Sequence, residues 1–564
     1  MALAHSFKNE VSIVLAGEAG QGIQTIETIL TQILKRAGFH VFGTKEYMSR
    51  VRGGSNSTEI RVAASPVPAF IDRIDLCVPL DPKALAHLEH RLTEQTLIVG
   101  EAQALQSSRE ILDIPLTKLA TTIGDPIFAN TIAAGFLAGL FNVESGPVLE
   151  AITKIFAKKG EEILGKNRQA ALEGIRLAQE ACTAHSIHLE IKKCPSVAGQ
   201  VIIQGYEAIA LGAAAGGCRF LASYPMSPST GVLTFLAQHA AQLGIVVEQA
   251  EDEIAAINMG LGSWYAGGRA MVTTSGGGFA LMAEGLSLAG AIESPMVIHL
   301  AQRPGPATGL PTRTEQGDLE LALYAGHGEF PRIILAPGTL QDAFLCASRA
   351  FFLADKYQVP VFILTDQCLM DSYYNVKEFP EVPKEAPSFV AKTNLDYARY
   401  RLTEGGISPR GIPGFGEGIV CVDSDEHDEG GYITEDANVR AAMVDKRLKK
   451  QKILPEDSMA PEFYGTGGYQ KLVLGWGSNF HAIREALCRK GEKDTAFLYF
   501  KQVYPLPEKI LEYLRKAKEV ICVENNATGQ FARLIRRETG FEVHRKILKY
   551  NGLPFSVEEL AQKI

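Results

Sequence analysis

The sequence predicts an α/β fold in several domains. Three stretches carry that expectation. The apolar run "VSIVLAG" at residues 11–17 leads into a glycine-rich turn and a helix-like segment. A second alternating block opens at "GYEAIALGAAAGG", residues 205–217. A third group, "KLVLGWGS", "TAFLYF" and "EVICVENN", lies near the C-terminus. Short apolar runs bounded by Gly and polar residues read as buried strands. Longer stretches with apolar residues on one helical face read as helices.

Taken in order, the first block reads as a strand at 11–17, a helix from about Gln24 to Ala37 and a strand around Phe39 to Phe42. Strand and helix signals alternate to about Ala178, which gives a first α/β domain at 1–184. The polar, Pro-bearing "TAHSIHLEIKKCPSVAGQ" ends it, with 185–200 as a linker. The second block, 201–375, has strands near Val246, Met271, Met296, Ile333 and Val361. Alternation of this kind implies a parallel sheet covered by helices on both faces. Residues 376–465 are rich in Gly, Pro and acid and read as an irregular connecting segment. Residues 466–564 form the last α/β unit.

The bulk composition fits a folded protein rather than a membrane or nucleic-acid binder. Hydrophobic residues make up 46 % and charged residues 21 %, and 56 Lys plus Arg against 64 Asp plus Glu leave a net charge of -8. No apolar stretch is long enough to span a bilayer, and the first residues lack a secretory signal's shape, so a cytoplasmic location is expected. The nine cysteines include no CxxC pair, so an iron–sulfur run of the ferredoxin type is absent.

Four motifs are candidates for chemistry. "GEAGQG", residues 17–22, puts Gly20, Gln21 and Gly22 between a strand and a helix. Backbone amides and a helix N-terminus there favour an anion. The spacing is not the dinucleotide fingerprint, and a tight structural turn explains the same glycines. "YMSRVRGGSNS" offers Arg50, Arg52 and Ser55 around a Gly-Gly turn, which suits a phosphate or a solvated loop. "SYPMSPSTG" stiffens hydroxyl-bearing Ser227, Ser229 and Thr230 after a strand, with helix capping as the plainer use. "AQRPGPATGLPTRTEQGDL" carries Arg303 and Arg313, whose planar guanidinium groups could clamp carboxylates. A fifth stretch, "VVEQAEDEIAAINMG", places acids where a small-residue helix begins. Acids favour helix N-termini in any case. "TSGGGF" reads as a close packing turn, and "DSDEHDE" as a solvated acidic patch rather than a metal site.

Together these motifs resemble the 2-oxoacid:ferredoxin oxidoreductases, in the fused γ–α form typical of 2-oxoglutarate synthase. "GEAGQG" and "SRVRGGSNS" look like the γ segment. "YPMSPST", "EDEIAAINMG", "TSGGGF", "QRPGPATGLPTRTEQGDL" and "HGEFPRIILAPG" look like a thiamine-pyrimidine-type parallel-sheet domain. "GISPRGIPG", "DSDEHDE" and "VENNATGQ" look like the later α segments. The resemblance makes 1–184 a γ-type domain with a coenzyme A contact, 201–375 the pyrimidine-binding-type domain and 466–564 a transketolase C-terminal-like domain. Ser227, Gly277 and Ala19 stand where threonine, proline and glycine are common in the family, and no functional group is lost.

The resemblance implies coenzyme A-dependent oxidative decarboxylation of a 2-oxoacid, 2-oxoglutarate to succinyl-CoA in this form, with electrons passed to ferredoxin. Thiamine diphosphate would be shared with a β subunit. This sequence has no GDG, and Asn525-Asn526 lacks a Gly-Asp at the proper distance upstream. Diphosphate, Mg²⁺ and a [4Fe-4S] cluster are therefore expected on that partner, in a dimer of α–β heterodimers. Glu253 would face the aminopyrimidine and share a proton with it, with Glu251 as the rival and capping the ordinary use of Glu248, Glu251 and Asp252. Ser227, Arg303 and Arg313 would meet substrate carboxylates. Gly20, Gln21, Gly22, Arg50, Arg52 and Ser55 would meet coenzyme A. Two other readings stay open: the same family acting on pyruvate or branched-chain oxoacids, and a non-catalytic dinucleotide-binding or scaffold protein.

Overall fold

A computed structural model describes residues 5–48, 54–383 and 387–564. The chain divides into two compact units. One comprises residues 1–203 with 372–378, the other 204–371 with 379–564. Both are α/β, so the protein is a multi-domain α/β chain.

The first unit is built on an eight-stranded sheet. Strand Glu10–Gly17 is buried along nearly its whole length and lies between Leu76–Pro79, parallel, and Asn56–Ala63, antiparallel. The alternation read from the sequence suggested a simple strand–helix–strand opening. The chain instead folds His40–Glu46 back on Asn56–Ala63 as an antiparallel pair, so this sheet is mixed. Helix Ile23–Arg36 buries Ile26, Ile29, Leu30, Ile33 and Leu34, the i, i+3, i+4, i+7 face that makes an amphipathic helix settle on a sheet. The stretch read as a linker holds the end of helix Glu161–His185, the short strand His188–Glu190 and a 3₁₀ turn at Pro195–Gly199.

The second unit contains two sheets. The larger has seven strands in the order Val246–Gln249, Phe220–Ser223, Ala270–Thr274, Met296–Gln302, Pro360–Asp366, Ile333–Leu335, Gln502–Tyr504, all parallel except the last. Met296–Gln302 and Pro360–Asp366 are buried at every residue. That is what a parallel strand covered on both faces requires, and it explains their mostly apolar sequence. The second strand in chain order lies to one side of the first and the third to the other. The sheet therefore reverses direction between Phe220–Ser223 and Ala270–Thr274, and a crevice opens at the carboxyl ends there.

The smaller sheet has five strands, with Lys471–Trp476, Thr495–Phe500 and Glu519–Glu524 parallel in its centre. The segment between the sheets is irregular over most of its length but includes the helix Ala437–Ile453. Composition hid this helix. Its buried residues include Lys446, Arg447 and Lys450, and its polar sequence has no apolar stripe. Lys446 and Lys450 lie 2.5 and 2.6 Å from the two carboxyl oxygens of Glu293, and all three side chains are 1 % exposed. Arg399 donates to the Glu293 carbonyl at 2.8 Å. Burial works against the ionised Glu293 carboxyl, but Lys450, Lys446 and Arg399 outweigh it and hold the group down at about 2.

Candidate functional site

Four loops leave the carboxyl ends of neighbouring strands in the larger sheet of the second unit. They carry Ser227, Glu253, Ser275 and Arg303 respectively. Each strand ends on a polar residue, Ser223, Gln249, Thr274 and Gln302, before the chain leaves the sheet.

Among the acids of "EQAEDE", the structure separates the roles. Glu248 and Glu251 are exposed. Asp252 is the N-cap of helix Glu253–Tyr265 and accepts a hydrogen bond from the Ala255 amide at 2.7 Å. Capping thus explains Asp252 fully. Glu253 is different: it is 4 % exposed, and its Oε1 is buried without a hydrogen-bond partner. A buried carboxyl oxygen left unpaired is costly, which sets this atom apart from the capping acids beside it.

Gly278 lies directly against Glu253. "TSGGGF" forms a short helix, Gly276–Leu281, with Ser275 at its N-cap, where the sequence suggested a turn. A Cβ on Gly278 would fall 2.6 Å from Glu253 Oε1, and one on Gly276 would run into both carboxyl oxygens of Asp318. Close approach of two carboxyl groups is therefore the reason for these glycines. The Ser275 hydroxyl is likewise buried and unpartnered.

Ser227 and Arg303 are brought together: Arg303 Nη1 donates to the Ser227 carbonyl at 2.7 Å. Arg303 Nε is buried with no partner, and burial lowers the pKa of the guanidinium, with Asp318 opposing. Ser229 does not cap helix Thr230–Leu243 with its side chain; its hydroxyl donates to the Met226 carbonyl at 2.7 Å. Arg313 lies further along the loop, with its Cβ and Cγ against Gly552.

Sequence reading missed two features. The first is Asp318. Its amide donates to Gln302 Oε1 at 3.0 Å, and its Oδ2 is buried and unpartnered. Burial, then the nearby charge of Glu315, push this carboxyl up to about 7 against the pull of Arg303. Acid three residues from another acid in a Gly-bearing loop was the only signal available. The second is a clamp on the same loop. Gln316 exchanges hydrogen bonds with Trp476, Asn479, Asn525 and Asn526, and Gln530 donates to the Gly317 carbonyl at 2.8 Å. The Asn-Asn pair therefore serves this joint.

In the first unit, Gly20 and Gly22 take φ of 96° and 92°, the left-handed region that glycine tolerates. The Gln21 side chain accepts from the Glu18 amide at 2.7 Å, and Gly22 caps helix Ile23–Arg36 without any side-chain bond. Gly17 pairs with Asn56, so the turn and half-buried Ser55 share one end of the sheet. Arg50 and Arg52 lie outside the described residues.

His427 of "DSDEHDE" is fully buried, its ring 3.9 Å from that of Tyr400. Among the described residues no group of three or more His, Cys, Asp or Glu is disposed to hold a metal ion. Among them, too, no helix is long and apolar enough to cross a membrane.

The families whose models this chain matches make it an oxidoreductase chain of the thiamine-dependent class. The family described as "Pyruvate flavodoxin/ferredoxin oxidoreductase, thiamine diP-bdg" matches residues 211–446, and "Pyruvate ferredoxin/flavodoxin oxidoreductase" matches residues 12–177. The 2-oxoacid:ferredoxin oxidoreductase subunit alpha of Sulfolobus sp is 30 % identical over 98 % of this chain and 96 % of its own length. The 2-oxoglutarate oxidoreductase subunit KorA of Mycobacterium tuberculosis is 29 % identical over 98 % of this chain and 91 % of its own. Among solved structures, 2-oxoglutarate:ferredoxin oxidoreductase from Magnetococcus marinus, with 2-oxoglutarate, coenzyme A and succinyl-CoA bound, superposes with a TM-score of 0.90. It is 31 % identical over 99 % of both chains. The chain belongs to the 2-oxoacid:ferredoxin oxidoreductase family, as an alpha subunit.

Proposed function

We propose that this chain is the catalytic alpha subunit of a coenzyme A-dependent 2-oxoglutarate:ferredoxin oxidoreductase. The observation that carries the reading is the orphaned Oε1 of Glu253, buried at the carboxyl ends of a parallel sheet with Gly278 packed on the same carboxyl. An unpaired carboxyl oxygen suits a nitrogen of a heteroaromatic ring. The residues fit the aminopyrimidine of thiamine diphosphate. When bound, that cofactor supplies an electron sink for cleavage of the bond to the leaving carboxylate.

This chain's own groups have separate tasks in the proposal. Glu253 holds or gives a proton at the ring nitrogen. Arg303, steadied by the Ser227 carbonyl, neutralises a substrate carboxylate, and the Ser227 hydroxyl orients it. Arg313 reads the distal carboxylate of a 2-oxodicarboxylate. Gly20, Gln21, Gly22 and Ser55, with Arg50 and Arg52, meet the phosphates of coenzyme A. The substrate carboxylate would leave as carbon dioxide, the acyl carbon would bond to the coenzyme A sulfur as the thiol proton is released to solvent, and the two electrons would pass singly to two ferredoxins. The reverse carboxylation uses the same groups.

The diphosphate, Mg²⁺ and a [4Fe-4S] cluster belong in this reading to a β subunit, in a cytoplasmic dimer of α–β pairs. The sequence lacks GDG, and Asn525 and Asn526 are committed to the Gln316 joint. The domain bounds proposed from the sequence, 1–184, 201–375 and 466–564, assign the coenzyme A, pyrimidine and transketolase-type parts. Pyruvate or a branched-chain oxoacid is the competing substrate, and the matched family descriptions name pyruvate. A substrate panel on the complex with a β chain decides between them. Faster reduction of ferredoxin with 2-oxoglutarate supports the proposal, and preference for pyruvate rejects it. Activity of this chain alone would reject the shared site.

A further inference from the structure

We propose that Asp318 is a positioning residue that gates the charge of Arg303, so that oxoacid affinity depends on whether Asp318 carries a proton. The proposal rests on Arg303 as the substrate carboxylate's partner. Asp318 and Arg303 stand at the two ends of one loop that leaves strand Met296–Gln302. The Asp318 amide is tied to Gln302, the residue just before Arg303, and the charges of the Asp318 carboxyl and the Arg303 guanidinium act on each other. Neither group saturates the other. Asp318 Oδ2 and Arg303 Nε are both buried and both lack a hydrogen-bond partner, and Arg303 spends Nη1 on the Ser227 carbonyl. The floor beneath Asp318 is the Gly276 backbone, which brings no charge, and the neighbouring Ser275 brings only a hydroxyl.

Among the described residues, two charged groups act on Asp318. Glu315 raises its proton affinity and Arg303 lowers it. Glu320 and Arg533, from the next helix and the C-terminal part, pair with each other at 3.2 Å. Burial, the largest of these influences, pushes Asp318 up to about 7. Protonated, it leaves the full Arg303 charge for an incoming carboxylate. Ionised, it competes for that charge in a low-dielectric pocket, where the competition is strong. Linkage makes the effect reciprocal: an anion bound at Arg303 favours the protonated acid.

The test uses the assembled complex with its β chain. The KM for 2-oxoglutarate in the wild type should rise roughly five-fold between about pH 6 and about pH 8, the low end of typical coupling between sites. Asp318→Asn should keep the low KM across that range, with kcat close to wild type. Infrared difference spectra over the same range should show a protonated-carboxyl band that Asp318→Asn lacks. An unchanged pH slope in Asp318→Asn overturns the proposal. So does a wild-type spectrum without that band, which decides the matter even if the variant fails to assemble. Arg303→Leu separates the two readings. If it leaves KM unchanged, the substrate role of Arg303 falls and takes this proposal with it. If KM rises while Asp318→Asn keeps the wild-type slope, only the role of Asp318 falls.

Discussion

Gln316 and Asn525 hold each other by two hydrogen bonds. The Gln316 amide donates to the Asn525 carbonyl at 2.7 Å, and the Asn525 amide donates to Gln316 Oε1 at 3.0 Å. Both residues are buried. The loop that carries Arg303, Arg313 and Asp318 is thereby pinned to the C-terminal sheet rather than left as a mobile surface loop. Loops that must present charge at fixed positions gain from such support.

Gln316→Ala should therefore damage both stability and substrate binding. It strips partners from Trp476, Asn479 and Asn525 at once and leaves buried polar groups unpaired. A loss of about 2–3 kcal/mol is expected in denaturant unfolding of the second unit. KM for the oxoacid should rise more than kcat falls. A variant with wild-type KM would show that the joint does not position the loop.

Glu293→Gln should be among the most destabilising single changes in the chain. It leaves Lys446 and Lys450 buried beside Arg399 with no counter-charge, at a cost on the order of 3–5 kcal/mol. The folded carboxyl is held below its unfolded value. Its contribution is therefore present above about pH 4.5 and is lost as pH falls toward about 2. Thermal melts of wild type and variant should diverge at neutral pH and converge in acid. Parallel curves across that range would contradict the assignment.

Asp318→Asn should act in the opposite direction. The folded carboxyl is raised, so stability is full below its unfolded value near 3.8 and is lost as pH climbs through about 7. The variant should melt at a higher temperature than wild type at alkaline pH. Below about pH 4 the two should coincide. A lower melting temperature at high pH would mean that Asp318 is ionised and paired.

Arg313→Leu should raise KM for 2-oxoglutarate roughly ten-fold or more, as expected when one charge-assisted pair is lost. Pyruvate turnover should change little. Equal losses on both substrates would assign Arg313 to loop structure, through its packing on Gly552.

Much of this architecture can be read from the sequence because its signals are local. Strand Met296–Gln302 is buried on both faces and is apolar except at His299 and Gln302, so its run alone identifies it. Glu253 is legible because it opens a helix of small residues, and the structure buries it while leaving Glu248 and Glu251 exposed. What escapes sequence reading depends on distant partners. Gln316 and Asn525 are over two hundred positions apart. Helix Ala437–Ile453 buries lysines against Glu293, which polarity alone cannot reveal. The Gly276–Gly278 helix looked like a turn because its glycines answer to Asp318 and Glu253, not to backbone conformation.

The most direct test of the whole account is turnover of Glu253→Gln in the assembled complex. The substitution keeps shape and removes the ionisable carboxyl. Coenzyme A-dependent reduction of ferredoxin should fall by about 100-fold or more, the usual yield of a positioned acid–base group, while the subunits still co-purify. Near-normal turnover in an intact complex would contradict the claim that this buried, unpaired carboxyl serves the cofactor.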